Sequence, residues 1–208
     1  MDILEKLKWR YAVKEFDADK KVPEETVKRL LEAVNLSATS MGLQQFRIMV
    51  IEDQEMKNRL FELSGTQKQI NTASHILVFA CLNNLDDEYI EKYTDKMAIE
   101  RSLPENVAAD LKLRFKNMVG SIPKDQKAIW EEKQAYLGLG NLLTVAAIEG
   151  VDTCPMEGFS REKYDEILGL KDKQLRAVVI CPIGYRSEND RFQHYKKVRL
   201  PLEDFMVN

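Results

Sequence analysis

Histidine and cysteine are scarce in this 208-residue chain, which holds two of the first and three of the second. His75 and His194 lie far apart in sequence, so there is little from which to build an imidazole metal site. Cys81, Cys154 and Cys181 form no CxxC pair and sit in apolar, strand-like surroundings. An odd set of buried thiols argues against a disulfide framework and for a reducing, cytoplasmic location. A basic excess is lacking too. The net charge is −3, whereas a general nucleic-acid binder needs clustered positive charge to neutralise phosphates. No apolar run approaches the roughly 18 residues of a membrane span, and the acidic, amphipathic opening MDILEKLKWR does not read as a signal peptide. There is no GxGxxG and no GxxxxGKS/T, so neither a Rossmann dinucleotide site nor a nucleoside-triphosphatase loop is supported.

What is present is an ordinary globular balance, 44% apolar and 31% charged, in a chain long enough for a substantial core. Residues 2–9 predict a short helix. Residues 23–36 predict a longer one, with Pro23 at its start, Glu24 and Glu25 in the first turn, and Val27, Leu30, Leu31 and Val34 on one stripe. The polar run SATSMGLQQ (37–45) ends it. FRIMVIED (46–53) reads as a strand, QEMKNRLFEL as a helix, HILVFACL (75–82) as a fully buried strand, and 86–119 as a charged helical region. The longest predicted helix covers 125–149. Its second half, AYLGLGNLLTVAAIEG, is apolar or small nearly all round, and such a helix is buried on every side. In a domain this small a subunit interface is the easiest place for it, a central core helix within one subunit being the alternative. VDTCPMEGF (151–159) predicts a short strand into a turn and QLRAVVICPIGY (174–185) a continuous apolar strand. The remainder is polar and without period. With no repeat and no linker, residues 1–208 read as one α+β domain.

Two basic clusters stand out. Arg10 and Lys14, in RYAVK, are four residues apart, a spacing at which helix and strand both return side chains to the same face. Lys196, Lys197 and Arg199 form the second. Either alone reads as solvated surface, but both lie in short extended segments, and two such segments could converge on one anion such as a phosphate. PMEG (155–158) frames a turn at the end of a buried strand, where backbone N–H groups are free to face a ligand. SATSMG supplies hydroxyls at Ser37, Thr39 and Ser40. An ordinary turn and an ordinary loop are the plain alternatives.

Together these fragments resemble the flavin-dependent nitroreductases of the oxygen-insensitive bacterial type. The resemblance runs in order through RxxxKxFD (Arg10, Lys14, Phe16, Asp17), SATSMGLQQF, ASHILVF, KQAYLGLGNLL, PMEGF and KVRLP. It implies a nitroreductase-like α+β fold, with a central, mixed but mainly antiparallel sheet flanked by helices in an intertwined homodimer. It also implies two active sites at the dimer interface, with FMN held by residues of both subunits. NADH or NADPH would reduce the flavin at N5, and a nitroaromatic, quinone or similar flat acceptor would then take the hydride by a ping-pong cycle, with no metal and no catalytic side chain.

By the same resemblance Lys14 meets the flavin N1–O2 edge, while Arg10, Lys197 and Arg199 meet the phosphate and ribityl chain. The backbone of Glu157 and Gly158 in the Pro155–Met156–Glu157–Gly158 turn faces N5. Ala38, Thr39, Ser40 and Gly42 line the ring from the other subunit, and Met41 and Phe115 are the candidates for the acceptor pocket. The chain departs from its relatives at Ala12, where serine is frequent, and at Thr66 and Gln69, where asparagine and lysine or glutamine are frequent. Gly42 and Gln45 replace asparagine and proline. A neutral Gln69 predicts a lower flavin potential than in a lysine-bearing relative. The competing readings are another reaction on the same scaffold (flavin, enone or dehalogenation reduction), a flavin-binding protein without turnover, and an unrelated domain.

Overall fold

Two apolar strands organise the molecule. In a computed structural model describing residues 2–207, His75–Leu82 and Leu175–Gly184 pair antiparallel along their length with one bulge at Phe79/Ala80. In chain order the elements are α1 (Ile3–Trp9), α2 (Glu24–Asn35), β1 (Phe46–Ile51), α3 (Gln54–Glu62), α4 (Lys68–Thr72), β2 (His75–Leu82), α5 (Asp87–Glu100), α6 (Glu105–Gly120), α7 (Lys124–Glu149), β3 (Asp152–Thr153), α8 (Arg161–Ile167), β4 (Leu175–Gly184) and α9 (Leu202–Phe205). The sheet order is β1-β2-β4-β3, antiparallel at each step, with a parallel bridge between Ala12 and Thr153 beside it.

Alternation along β2 sends Ile76, Val78 and Ala80 to one face and Leu77, Phe79 and Cys81 to the other. The first set packs on Leu60 of α3, Ile70 of α4 and Tyr164 of α8. The second packs on Leu30 and Val34 of α2 and on Leu139, Leu142 and Ala146 of α7. Both faces are covered, which is why β2 and β4 read as unbroken apolar runs. A third cluster, Leu43, Leu85, Ile90, Phe115 and Val119, lies under the α5–α6 pair.

The predicted elements are recovered with small shifts at their ends. The region read as one helical stretch, 86–119, is two helices, broken at 101–104 where Ser102 takes φ +50° and Pro104 caps α6. In α7, Gly138 lets the ring of Phe46 come close, since a Cβ there would stand 2.6 Å from Phe46 Cζ. The helix is not buried all round within the chain, because Leu137 is 55% exposed.

The N-terminal segment is laid along the sheet edge. Val13 N–H donates to Thr153 O at 3.2 Å and Asp17 N–H to Tyr185 O at 2.8 Å. Phe16 fits against Gly184, where a Cβ would come within 2.9 Å of its ring. RYAVK is thereby held between β3 and the return of the chain after β4.

Candidate functional site

The two basic segments meet. Lys197 donates through Nζ to the carbonyls of Leu7 and Arg10, the last turn of α1, where a cation complements the helix C-terminus. Arg10, Ala12 and Pro155 line a cleft of about 700 Å³ with Trp9, Lys197 and Arg199. Among the described residues no carboxylate is in ion-pair range of Arg10, Lys197 or Arg199, although surface lysines such as Lys68 and Lys92 are paired. Burial lowers the pKa of the Arg10 guanidinium, and Arg199 acts in the same direction. Burial likewise lowers that of Lys197, with Arg10 and Arg199 adding to it. Among the described residues Arg10 Nε is buried without a hydrogen-bond partner, a costly state for a donor on a charged group.

A second recess of about 340 Å³ adjoins the first and is lined by Lys14, Gln69 and Asp190; Phe192 borders both. Lys14 Nζ lies 3.9 Å from Cys154 Sγ. Burial raises the pKa of that thiol, while Lys14 and Arg10 oppose the rise. Gln67 ties this recess to the 155–158 turn by donating to Gly158 O at 2.9 Å and accepting from Gln69 Nε2 at 3.2 Å. Thr66 stands beside it with φ +54° and an outward hydroxyl bonded to Gly65 O. Met156 N–H is used by Ile180 O at 2.8 Å, whereas the N–H groups of Glu157 and Gly158 donate no hydrogen bond among the described residues. Tyr136 of α7 donates to Glu157 Oε1. Burial and that carboxylate raise the phenol pKa to about 12.

The remaining predicted residues sit elsewhere in the chain. Ala38, Thr39, Ser40, Met41 and Gly42 line neither recess. They form a turn in which Ser40 N–H donates to Gln134 Oε1 at 2.8 Å and Met41 and Gly42 take φ +56° and +69°. Asparagine and glycine both tolerate that region, so Gly42 keeps the backbone that a replaced asparagine would have. Phe115 is 5% exposed, inside the cluster under α5 and α6, and Met41 packs against the same cluster. Within one chain, therefore, the acceptor-pocket pair is together but removed from the basic cleft.

Four residues of the site have no period or charge pattern that marks them in sequence. Arg186 is held by Asp152 at 2.6 Å and stacks between Trp9 and Tyr11, 4.2 and 4.7 Å from their ring centroids. Asp190 and Phe192 arrive on the turn after β4. Tyr11, inside RYAVK, carries no charge and follows no period that would mark it in sequence. Its hydroxyl bonds Asp190 Oδ2 at 3.0 Å.

These donors suit a flavin mononucleotide. An unpartnered buried Arg10 Nε with two further uncompensated cations matches a phosphate dianion, Lys14 stands in the adjoining recess, and two free N–H groups lie at a turn linked to that recess through Gln67. Among the described residues no group of His, Cys, Asp and Glu is arranged to hold a metal ion, and no helix is long and apolar enough to cross a membrane.

The model of the Nitroreductase family matches residues 7–185. A Staphylococcus haemolyticus protein provisionally named an NAD(P)H nitroreductase is 34% identical, covering 97% of this chain and 94% of its own. A crystal structure of an Exiguobacterium sibiricum protein, provisionally named a nitroreductase and in complex with FMN, is 25% identical with a TM-score of 0.86 over 100% of this chain and 97% of that one. A Staphylococcus epidermidis structure provisionally named an NAD(P)H:FMN oxidoreductase superposes with a TM-score of 0.87 at 24% identity, covering 100% and 95%; that likeness is one of fold.

Proposed function

This chain belongs to the nitroreductase family, a family of oxidoreductases, and from that premise we propose that it is an FMN-dependent NAD(P)H oxidoreductase acting on nitroaromatics, quinones or similar flat acceptors. The observation that carries the reading is the convergence of Arg10, Lys197 and Arg199 in one cleft without an acidic partner, with Arg10 Nε buried and unbonded. The FMN-bound Exiguobacterium sibiricum relative supports it.

Bound flavin would accept hydride at N5 from the nicotinamide and give it up to the acceptor, and in such a protein the cofactor carries the difficult chemistry. The side chains bind and orient. Arg10, Lys197 and Arg199 hold the phosphate. Lys14 sets a positive charge in the recess that takes the N1–O2 edge, where reduction builds negative charge, and so favours the reduced form. Thr66 and the neutral Gln69 line the same edge. Pro155 and Met156 hold the turn whose Glu157 and Gly158 N–H groups would be the donors offered to N5, and Ala12 would leave the phosphate one hydroxyl short.

The site is completed in a homodimer. Ala38, Thr39, Ser40 and Gly42 of the second copy close the ring edge, and its Met41 borders the acceptor side, backed by Phe115 in the core beneath it. The separation of these residues from the basic cleft within one chain, and the exposed Leu137 on α7, support that arrangement.

The test is a visible spectrum of purified protein followed by anaerobic titration with NADH and with NADPH. Flavin absorbance bleached by either nucleotide is the expected result. Flavin that neither nucleotide bleaches would replace the enzyme by a flavin-binding protein. A colourless chain that takes up no FMN would overturn the reading.

A further inference from the structure

Asp190 is 3% exposed, yet among the described residues no cationic side chain is in ion-pair range of its carboxylate. Oδ2 accepts from Lys14 N–H at 2.8 Å, Tyr11 Oη at 3.0 Å and Glu15 N–H at 3.3 Å. Oδ1 accepts from Phe192 N–H at 3.0 Å. Burial disfavours the charged form, but the bonds from Lys14, Phe192, Tyr11 and Glu15 outweigh it and hold the pKa below the usual carboxylate range. A buried anion satisfied by backbone amides and one phenol is a geometric device, since its bonds fix main chain and not a partner charge.

What it fixes is specific. Three bonds hold RYAVK and the residue after it, including the amide of Lys14 itself. The fourth starts the turn Arg191–His194, which carries Phe192 between the two recesses and leads on to Lys197 and Arg199. Gln193 stiffens the same turn by donating to Ser187 O, Glu188 O and Asp190 O at 3.0–3.2 Å. The two basic segments are 176 residues apart at Lys14 and Asp190, and one carboxylate joins them.

We propose that Asp190 is the positioning residue of the cofactor site, setting the Lys14 backbone so that its ammonium enters the smaller recess while keeping the Phe192 turn in register with it. This rests on the reading of the two recesses as one flavin site. Both carboxylate oxygens of Asp190 are taken by bonds within the chain, so it acts through Lys14.

The experiment compares wild type, Asp190→Asn, Lys14→Ala and the double variant. The readouts are FMN dissociation constant, flavin midpoint potential and amide hydrogen exchange at Lys14 and Glu15. In Asp190→Asn an amide N–H₂ replaces one accepting oxygen, so exchange at residues 14 and 15 speeds up, FMN binding weakens by about tenfold, the loss of one charge-assisted bond, and the potential falls. In the Lys14→Ala background the same change leaves the potential where Lys14→Ala alone put it. Equal shifts of potential in both backgrounds would overturn the proposal, because Asp190 would then act independently of Lys14. So would unchanged affinity and potential beside a lowered melting temperature, which is the mark of a purely structural bond. Tyr11→Phe removes a single bond and guards against a misfolded Asp190 variant. It speeds exchange at Lys14 less than Asp190→Asn does, and an equal or larger effect would overturn the clamp. A wild type that takes up no FMN would overturn the proposed function and the flavin half of this inference, while the exchange data still decide the clamp.

Discussion

Lys57 carries an ammonium group into the interior of the first core layer. It is fully buried, donates to Ala73 O at 2.7 Å and Ser74 O at 3.3 Å, and has no carboxylate at ion-pair distance among the described residues. Burial, with Lys21 nearby, lowers its pKa from 10.5 to about 8. The unfolded chain therefore binds more protons than the folded one between about pH 8 and 10.5, and stability attributable to this group rises with pH across that window. The stability of wild type relative to Lys57→Met, from urea midpoints, should grow as pH climbs from 8 to 10.5; a flat difference would mean the ammonium is not strained. At the cofactor site the same scale gives a second expectation. Lys14→Ala with Arg199→Ala removes one cation from each recess, and at about 1.5–3 kcal/mol for each charged bond FMN affinity should fall by roughly a hundredfold or more. Equilibrium dialysis checks it, and stoichiometric retention of flavin would separate the two clusters from one cofactor.

At the scale of elements, α7 is the part of the fold whose sequence says most and least. Its small residues announce a close approach, and at Gly138 the approach is to Phe46 and Val34, with a Cβ standing 2.6 Å and 3.2 Å from their atoms. Gly138→Ala should cost about 1–3 kcal/mol by overpacking, despite the better helix propensity of alanine. A loss under about 0.5 kcal/mol in denaturant titration would mean the Phe46 ring gives way freely. The strands are readable for a related reason, since β2 and β4, covered on both faces, are apolar at nearly every position, His75 and Arg176 being the charged or polar exceptions. Their pairing was not readable, because His75 meets Ile183 across a separation that no local pattern spans. The charged helical region 86–119 divides into α5 and α6 at 101–104, where Pro104 opens the second helix. The site divides in the same way. Arg10, Lys14, Lys197 and Arg199 were marked by charge and by the order of motifs, whereas Asp190 and Phe192 lie in a polar run without period. Phe115, expected at the acceptor pocket from the resemblance, is a core residue of the chain.

At the scale of the whole molecule, residues 200–207 form an arm that the rest of the described chain leaves uncovered. Leu200, Leu202, Phe205 and Val207 are 67%, 68%, 74% and 97% exposed, in a segment held by few bonds beyond the short α9. Fully burying four such side chains is worth roughly 6–12 kcal/mol, comparable with the cost of bringing two chains together. An apolar arm of that size left in water is unfavourable, and the second copy proposed to complete the site would offer a surface for it. The arm is not the cofactor site, because Arg199 precedes it. A chain ending at Arg199 keeps Arg10, Lys14, Lys197 and Arg199 but loses these four contacts. In sedimentation at micromolar concentration the full chain should run at twice its 24.1 kDa mass and the shortened one as a monomer. Flavin should then be lost from the shortened chain as well, because the ring edge supplied by the second copy departs with it. A shortened chain that stays dimeric and yellow would place the interface on α7 alone, and a monomer that keeps its flavin would show that one chain suffices to hold the cofactor.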